Sequence, residues 1–191
     1  MKKALQIIGR KIVWAGNFIR VLLLEYRDEK GEIRRWEAIE RVNCNGIVVI
    51  IPVTKEGDLL LIRQFRPVLN SYVIEFPAGL NDKGETLLNA ARRELIEETG
   101  YTSETFELMA EGPVSSGLSS EVLTVFLARE ALPASPELRA KYPIEETESI
   151  ELVRTPLMSA YETIVKYQSQ GDVVDLKLYG FIELARKKIN M

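Results

Sequence analysis

The chain has no histidine among its 191 residues. That gap excludes Ser-His-Asp and Cys-His mechanisms, histidine general bases and histidine-ligated zinc. Proton transfer must fall to carboxylates, lysine, tyrosine or metal-bound water. Cysteine is nearly as scarce: Cys44 stands alone, so neither an internal disulfide nor a cysteine cluster can form. Its flanks, Val42-Asn43 and Asn45-Gly46, offer no activating base, and it reads as an inert, partly buried thiol. No apolar run approaches the roughly 18 residues that would span a bilayer. Arg10 and Lys11 interrupt the N-terminal apolar stretch too early for a signal peptide, so a cytoplasmic location without a membrane partner is expected. Long basic runs are missing too, and a net charge of −3 argues against a nucleic-acid partner.

What is present suits one domain with a real core: an apolar fraction of 46% without repeats or low-complexity linkers. Residues 18–27 and 33–42 read as strands joined by a turn at Asp28-Glu29-Lys30-Gly31, a β-hairpin. A second hairpin is expected from 46–53 and 59–66, both apolar nearly throughout and therefore buried on both faces. Strands near 105–111, 121–129 and 149–154 follow, with a proline-bearing loop at 132–147 and helices at about 156–169 and 174–188. In the first of these helices Ile164 and Val165 are expected to pack the core. The pattern predicts an α+β domain with helices on both sides of a mixed sheet.

The densest chemistry lies in GLNDKGETLLNAARRELIEETGY, residues 79–101. Gly79 and Gly84 permit a tight loop, Thr86 can cap a helix, and Leu87, Leu88, Ala91 and Leu95 give it an apolar face. Gly100 ends that helix in the left-handed conformation. Glu94 and Glu98 are one turn apart with Glu97 beside them, and three such carboxylates repel unless a cation neutralises them. A solvated acidic face is the plainer reading of glutamates alone; the flanking glycines and cap favour a site. Oxygen-only ligation suits magnesium or manganese. Glu85 and Arg93 can pair to brace the loop on the helix, a structural role.

This segment resembles the Nudix box, Gly-x5-Glu-x7-Arg-Glu-U-x-Glu-Glu-x-Gly-U with U a bulky apolar residue, and meets every fixed position from Gly79 to Tyr101. The resemblance implies a Nudix-type α/β/α sandwich over residues 43–191, with residues 1–42 as an N-terminal β-hairpin extension serving dimerisation or substrate selection. It also implies magnesium-dependent hydrolysis of a nucleoside diphosphate linked to another group.

Upstream, RQFRP at 63–67 and E-x-PAG at 75–79 resemble the ADP-ribose and ADP-sugar pyrophosphatase branch, as does the run from Gly31 to Arg41. Carried over residue by residue, the resemblance gives the metal to the Ala78 carbonyl, Glu94 and Glu98. Arg41 and Arg66 would hold the pyrophosphate, Trp36 and Phe18 would stack on the base, and Glu37 and Leu80 would complete the substrate contacts. From their own context, Trp36 reads as rim or core and Phe18 as core. Arg63, three residues from Arg66, should face the other way. Glu75 could bind a sugar hydroxyl or accept a backbone donor. The base that activates water is either Glu97 or a glutamate of the loop PIEETES, where Glu148 matches the family residue best and Glu145 and Glu146 compete. Ser116 stands before Gly117 where this branch usually has proline, so other nucleoside diphosphate sugars, GDP-mannose among them, stay open as substrates. A non-catalytic ADP-ribose-binding module of the same fold is the alternative, and the intact box glutamates tell against it. The branch further implies a homodimer.

Overall fold

The computed structural model describes residues 4–144 and 148–189. Two sheets form. The smaller is a three-stranded antiparallel sheet of β1 (Gln6–Ala15), β2 (Ile19–Arg27) and β3 (Ile33–Arg41). The expected hairpin is its β2–β3 part, closed at a turn where Asp28 Oδ1 accepts the Lys30 and Glu32 amides, each at 2.9 Å. Strand β1 is an addition to the sequence reading. The charges that argued against a signal peptide, Arg10 and Lys11, lie within a strand exposed along nearly its whole length.

The larger sheet has nine strands. They are β4 (Ile47–Thr54), β5 (Asp58–Arg66), β6 (Ser71–Glu75), β7 (Ala78–Leu80), β8 (Tyr101–Thr102), β9 (Thr105–Pro113), β10 (Val122–Pro133), β11 (Ile150–Pro156) and β12 (Val173–Val174). Helices α1 (Leu87–Thr99), α2 (Pro136–Lys141), α3 (Ala160–Ser169) and α4 (Lys177–Ile189) complete the chain. Short α2 falls inside the stretch read as a loop, where Ser135 caps it by accepting the Leu138 amide. Among the described residues, no helix is long and apolar enough to cross a membrane.

Strand β4 sits at the centre and explains the layers. Its alternate side chains Val48 and Ile50 pack with Ala90, Ala91 and Leu95 of α1. Val49, Ile51 and Val53 point the other way, toward Ile164 of α3 and Leu178 and Ile182 of α4. A strand sandwiched between helices must be apolar on both faces, which is why its sequence does not alternate. In α3 the structure buries Ile164 but leaves Val165 62% exposed, a correction to the expected core.

The second expected hairpin is only partly one. β4 and β5 share a single antiparallel pair, Val53 with Leu59, and then diverge. Beyond that rung β4 pairs with β7 and, in parallel, with β10, while β5 takes β6 and β11. The sheet therefore splits, and the β6–β7 connection through Phe76 and Pro77 bridges the opening. The functional site occupies this split.

Candidate active site

Helix α1 begins and ends where its caps dictate. Thr86 Oγ1 accepts the Asn89 amide at 3.2 Å, and Gly100 closes the helix at φ 71° with its amide donating to Ile96 O. That registers Arg93, Glu94, Glu97 and Glu98 over the β7 strand.

Arg93 is buried and is the hub. Its Nε donates to Glu85 Oε1 at 2.8 Å, the brace expected from sequence. It also donates from Nη1 to Glu94 Oε1 (2.7 Å) and Glu97 Oε2 (2.8 Å), and from Nη2 to the Leu80 carbonyl (3.1 Å). The structure thus corrects the picture of three glutamates turned together. Arg93 neutralises part of their charge, and Glu97 faces the arginine. Among the described residues, no group of three or more His, Cys, Asp or Glu side chains is arranged to hold a metal ion.

Glu94 and Ala78 line the cavity described below, and Glu98, which lines a different one with Glu97, joins them through Ala78. Glu98 Oε2 accepts the Ala78 amide at 2.8 Å. Burial raises Glu98 well above the usual carboxylate range, with repulsion from Glu94 adding to it and the Ala78 N–H opposing. Burial pushes Glu94 up to about 7, against the attraction of Arg93 and with the help of Glu97 and Glu148. Two buried carboxyls under strain of this sign, beside a backbone carbonyl, suit a hard divalent cation that keeps some water. The residues present fit that ion.

Gly79 shows how tightly the floor is built. A Cβ there would lie 1.8 Å from Glu94 Oε1. Gly79→Ala is therefore expected to displace Glu94, to cost about 1–3 kcal/mol by overpacking, and to cut turnover at least about tenfold. Thermal melts and steady-state rates on the same variant check both effects; an unshifted melting temperature with full activity would count against this packing.

Phe18, Arg41, Arg66, Ala78, Leu80, Glu94 and Glu148 all line one cavity of about 330 Å³. Sequence positions 130 residues apart meet there, Phe18 being 77% exposed rather than in the core as its context suggested. Each arginine is held by a carboxylate that the sequence did not single out for the task. Arg66 Nε donates to buried Glu75 at 2.7 Å, so Glu75 anchors a guanidinium, a role the sequence did not single out for it. Arg41 Nε donates to Glu121 at 2.5 Å. Arg63 turns away as expected, donating to Asp172 at 2.7 and 2.9 Å and stacking on Tyr72. Gln64 Nε2 lies 3.4 Å from Glu148 Oε1. Glu145 and Glu146 lie outside the described residues.

Trp36 and Glu37 do not line this cavity. The Trp36 indole N–H donates to Gly117 O at 2.9 Å, and the Ile39 amide to Leu118 O at 2.7 Å. The loop from β9 to β10 thereby clasps β3, a role for Gly117 and Leu118 that composition alone did not signal.

A family model described as the NUDIX domain matches residues 45–170. The chain is 30% identical over 181 residues to the ADP-ribose pyrophosphatase of Bacillus subtilis, covering 95% of this chain and 92% of that one. It is likewise 30% identical over 198 residues to the ADP-sugar pyrophosphatase of Mus musculus, covering 96% and 88%. A crystal structure of an ADP compounds hydrolase superposes with a TM-score of 0.76 at 22% identity, covering 100% of this chain and 96% of that chain, which shows the shared fold.

Proposed function

The chain belongs to the Nudix hydrolase family, and on that premise we propose that it cleaves the pyrophosphate of a nucleoside diphosphate sugar with a divalent cation, magnesium or manganese. The observation that carries this reading is the single cavity in which Arg41 and Arg66 meet Glu94, Glu148 and an exposed aromatic ring, Phe18.

Water attacks one phosphorus, a new P–O bond forms, and the bridging P–O bond breaks to give a nucleoside monophosphate and a sugar phosphate. Glu148 takes the proton from the attacking water. Arg41 and Arg66, each oriented through Nε by its carboxylate, present their Nη groups to the pyrophosphate oxygens. Phe18 offers its face to the base and Leu80 its edge to the nucleoside. Glu94, Glu98 and the Ala78 carbonyl would hold the magnesium ion, which would supply neutralisation of the charge that builds on the phosphoryl oxygens.

A panel of nucleoside diphosphate sugars incubated with magnesium tests the reading by release of nucleoside monophosphate. Activity should vanish in excess chelator and return with added magnesium. Failure to release a monophosphate from any member of the panel would remove the assignment.

The same reading includes a cytoplasmic homodimer. Ile7, Ile12 and Trp36, opposite Tyr26, Leu22 and Leu24 in register, are exposed apolar side chains on one face of the three-stranded sheet. A second copy packed there would bring Trp36 and Glu37 toward its partner's base pocket. Mixing Trp36→Ala chains with Glu98→Gln chains should then restore part of the activity that each lacks. A fully active monomer at micromolar concentration would refute the shared site.

A further inference from the structure

A second cavity, of about 200 Å³, adjoins the first and shares Arg41 and Arg66 with it. We propose that this inner cavity receives the sugar of the substrate, and that Asp175 and Lys177, at the start of α4, select which sugar is accepted. The proposal rests on the nucleoside diphosphate sugar reading and extends it to residues outside both sequence motifs.

Charge comes first. The polar wall of the cavity consists of three carboxylate–cation pairs: Arg66 with Glu75 at 2.7 Å, Arg41 with Glu121 at 2.5 Å, and Lys177 with Asp175 at 2.5 Å. The wall is therefore neutral in sum yet dense in donors and acceptors. With both arginines turned to the pyrophosphate, the one further cation, Lys177, is matched by Asp175, so the space offers no surplus charge for another phosphate, whereas hydroxyl groups can donate to the carboxylates and accept from the cations.

Shape separates sugar from base. The apolar wall carries Phe76 and Phe181, whose ring centroids are 6.3 Å apart with planes inclined at 49°. Inclined rings at that spacing leave no parallel slot for a nucleobase, while they can cover the C–H face of a sugar. A base has the better platform on Phe18, which lines the first cavity and not this one.

Position is fixed by the backbone. The Asp175 amide donates to Ile74 O at 3.0 Å, next to the parallel pairing of Val174 with Ile74. Asp175 Oδ1 in turn accepts the Lys177 amide at 3.0 Å. Asp175 is thus tied to β6, the strand that carries Glu75, and Lys177 to Asp175, so a bound sugar would meet a rigid set of groups.

Lys177→Met keeps the aliphatic stem, and Asp175→Asn keeps the helix cap. Both are tested in the full chain by calorimetric binding of ADP, ADP-ribose, ADP-glucose and GDP-glucose, and by kcat/KM on the three sugar nucleotides with magnesium. Each variant is expected to lose at least about tenfold in affinity for the sugar nucleotides, the value of one charged hydrogen bond. Binding of ADP should stay within twofold, and the preference between adenine and guanine should not move. Equal losses for ADP and the sugar nucleotides, a changed base preference, or unaltered binding throughout would each overturn the assignment. If the wild-type chain neither binds nor cleaves any sugar nucleotide, it is the substrate class that has failed.

Discussion

Glu98→Gln is expected to lower kcat by at least about a hundredfold at saturating magnesium and to leave the fold intact. Glutamine is close to isosteric, and its carbonyl oxygen can keep accepting the Ala78 amide now bound at 2.8 Å. What disappears is a negative charge placed in the interior, where burial raises the group well above its ordinary range. A carboxyl raised in this way holds its proton more tightly folded than unfolded. It therefore weakens the fold as pH climbs from the unfolded value through the folded one. Without metal, the variant should consequently melt no lower than the wild type at neutral pH. Magnesium should raise the melting temperature of the wild type by mass action and that of Glu98→Gln hardly at all. Melting curves with and without the ion, set beside kcat, separate a lost cation site from a damaged fold. A variant that keeps both its rate and its magnesium response would sink the assignment of Glu98.

The second large effect is expected at Glu148. Glu148→Gln should reduce kcat by about two to four orders of magnitude with KM changed only a few-fold, because a base acts in the transition state more than in binding. Glu97→Gln is the control that makes the result decisive. Glu97 accepts from Arg93 Nη1 at 2.8 Å, a bond that glutamine can keep accepting, so the substitution should cost less than about tenfold in kcat. The outcome that reverses the two residues is a near-normal Glu148→Gln beside an inactive Glu97→Gln. Inactivity confined to Glu145→Gln or Glu146→Gln would move the base elsewhere in the same loop.

Local signals in the chain proved the most legible. Helix α1 follows from Thr86, Gly100 and the apolar spacing between them, and all three recur in the structure as read. The mixed sheet between helix layers was legible for the same reason, since β4 and β5 are apolar on both faces. The pairing of those strands was not. A turn at Gly57 brings them together for one rung, but each then finds better partners far along the chain, and no short-range pattern encodes that. The carboxylates behind the arginines were hidden likewise: Glu121 lies 80 residues from Arg41. Phe18 misled because an aromatic residue beside a strand looks like core, and only tertiary placement leaves it at the mouth of a cavity.

The clasp between β3 and the loop at 117–120 has a consequence for how the molecule breathes. Phe18 and Arg41 ride on the small sheet, whereas Glu94, Arg66 and Glu148 belong to the large one. Among the described residues, the hydrogen bonds that join the two run from Trp36 to Gly117, between Ile39 and both Leu118 and Ser120, and from Arg41 to Glu121. A sheet held by so short a seam can open without global unfolding. A substrate lying across the seam would then act as a stitch, slowing amide exchange in β2 and β3 far more than in β4.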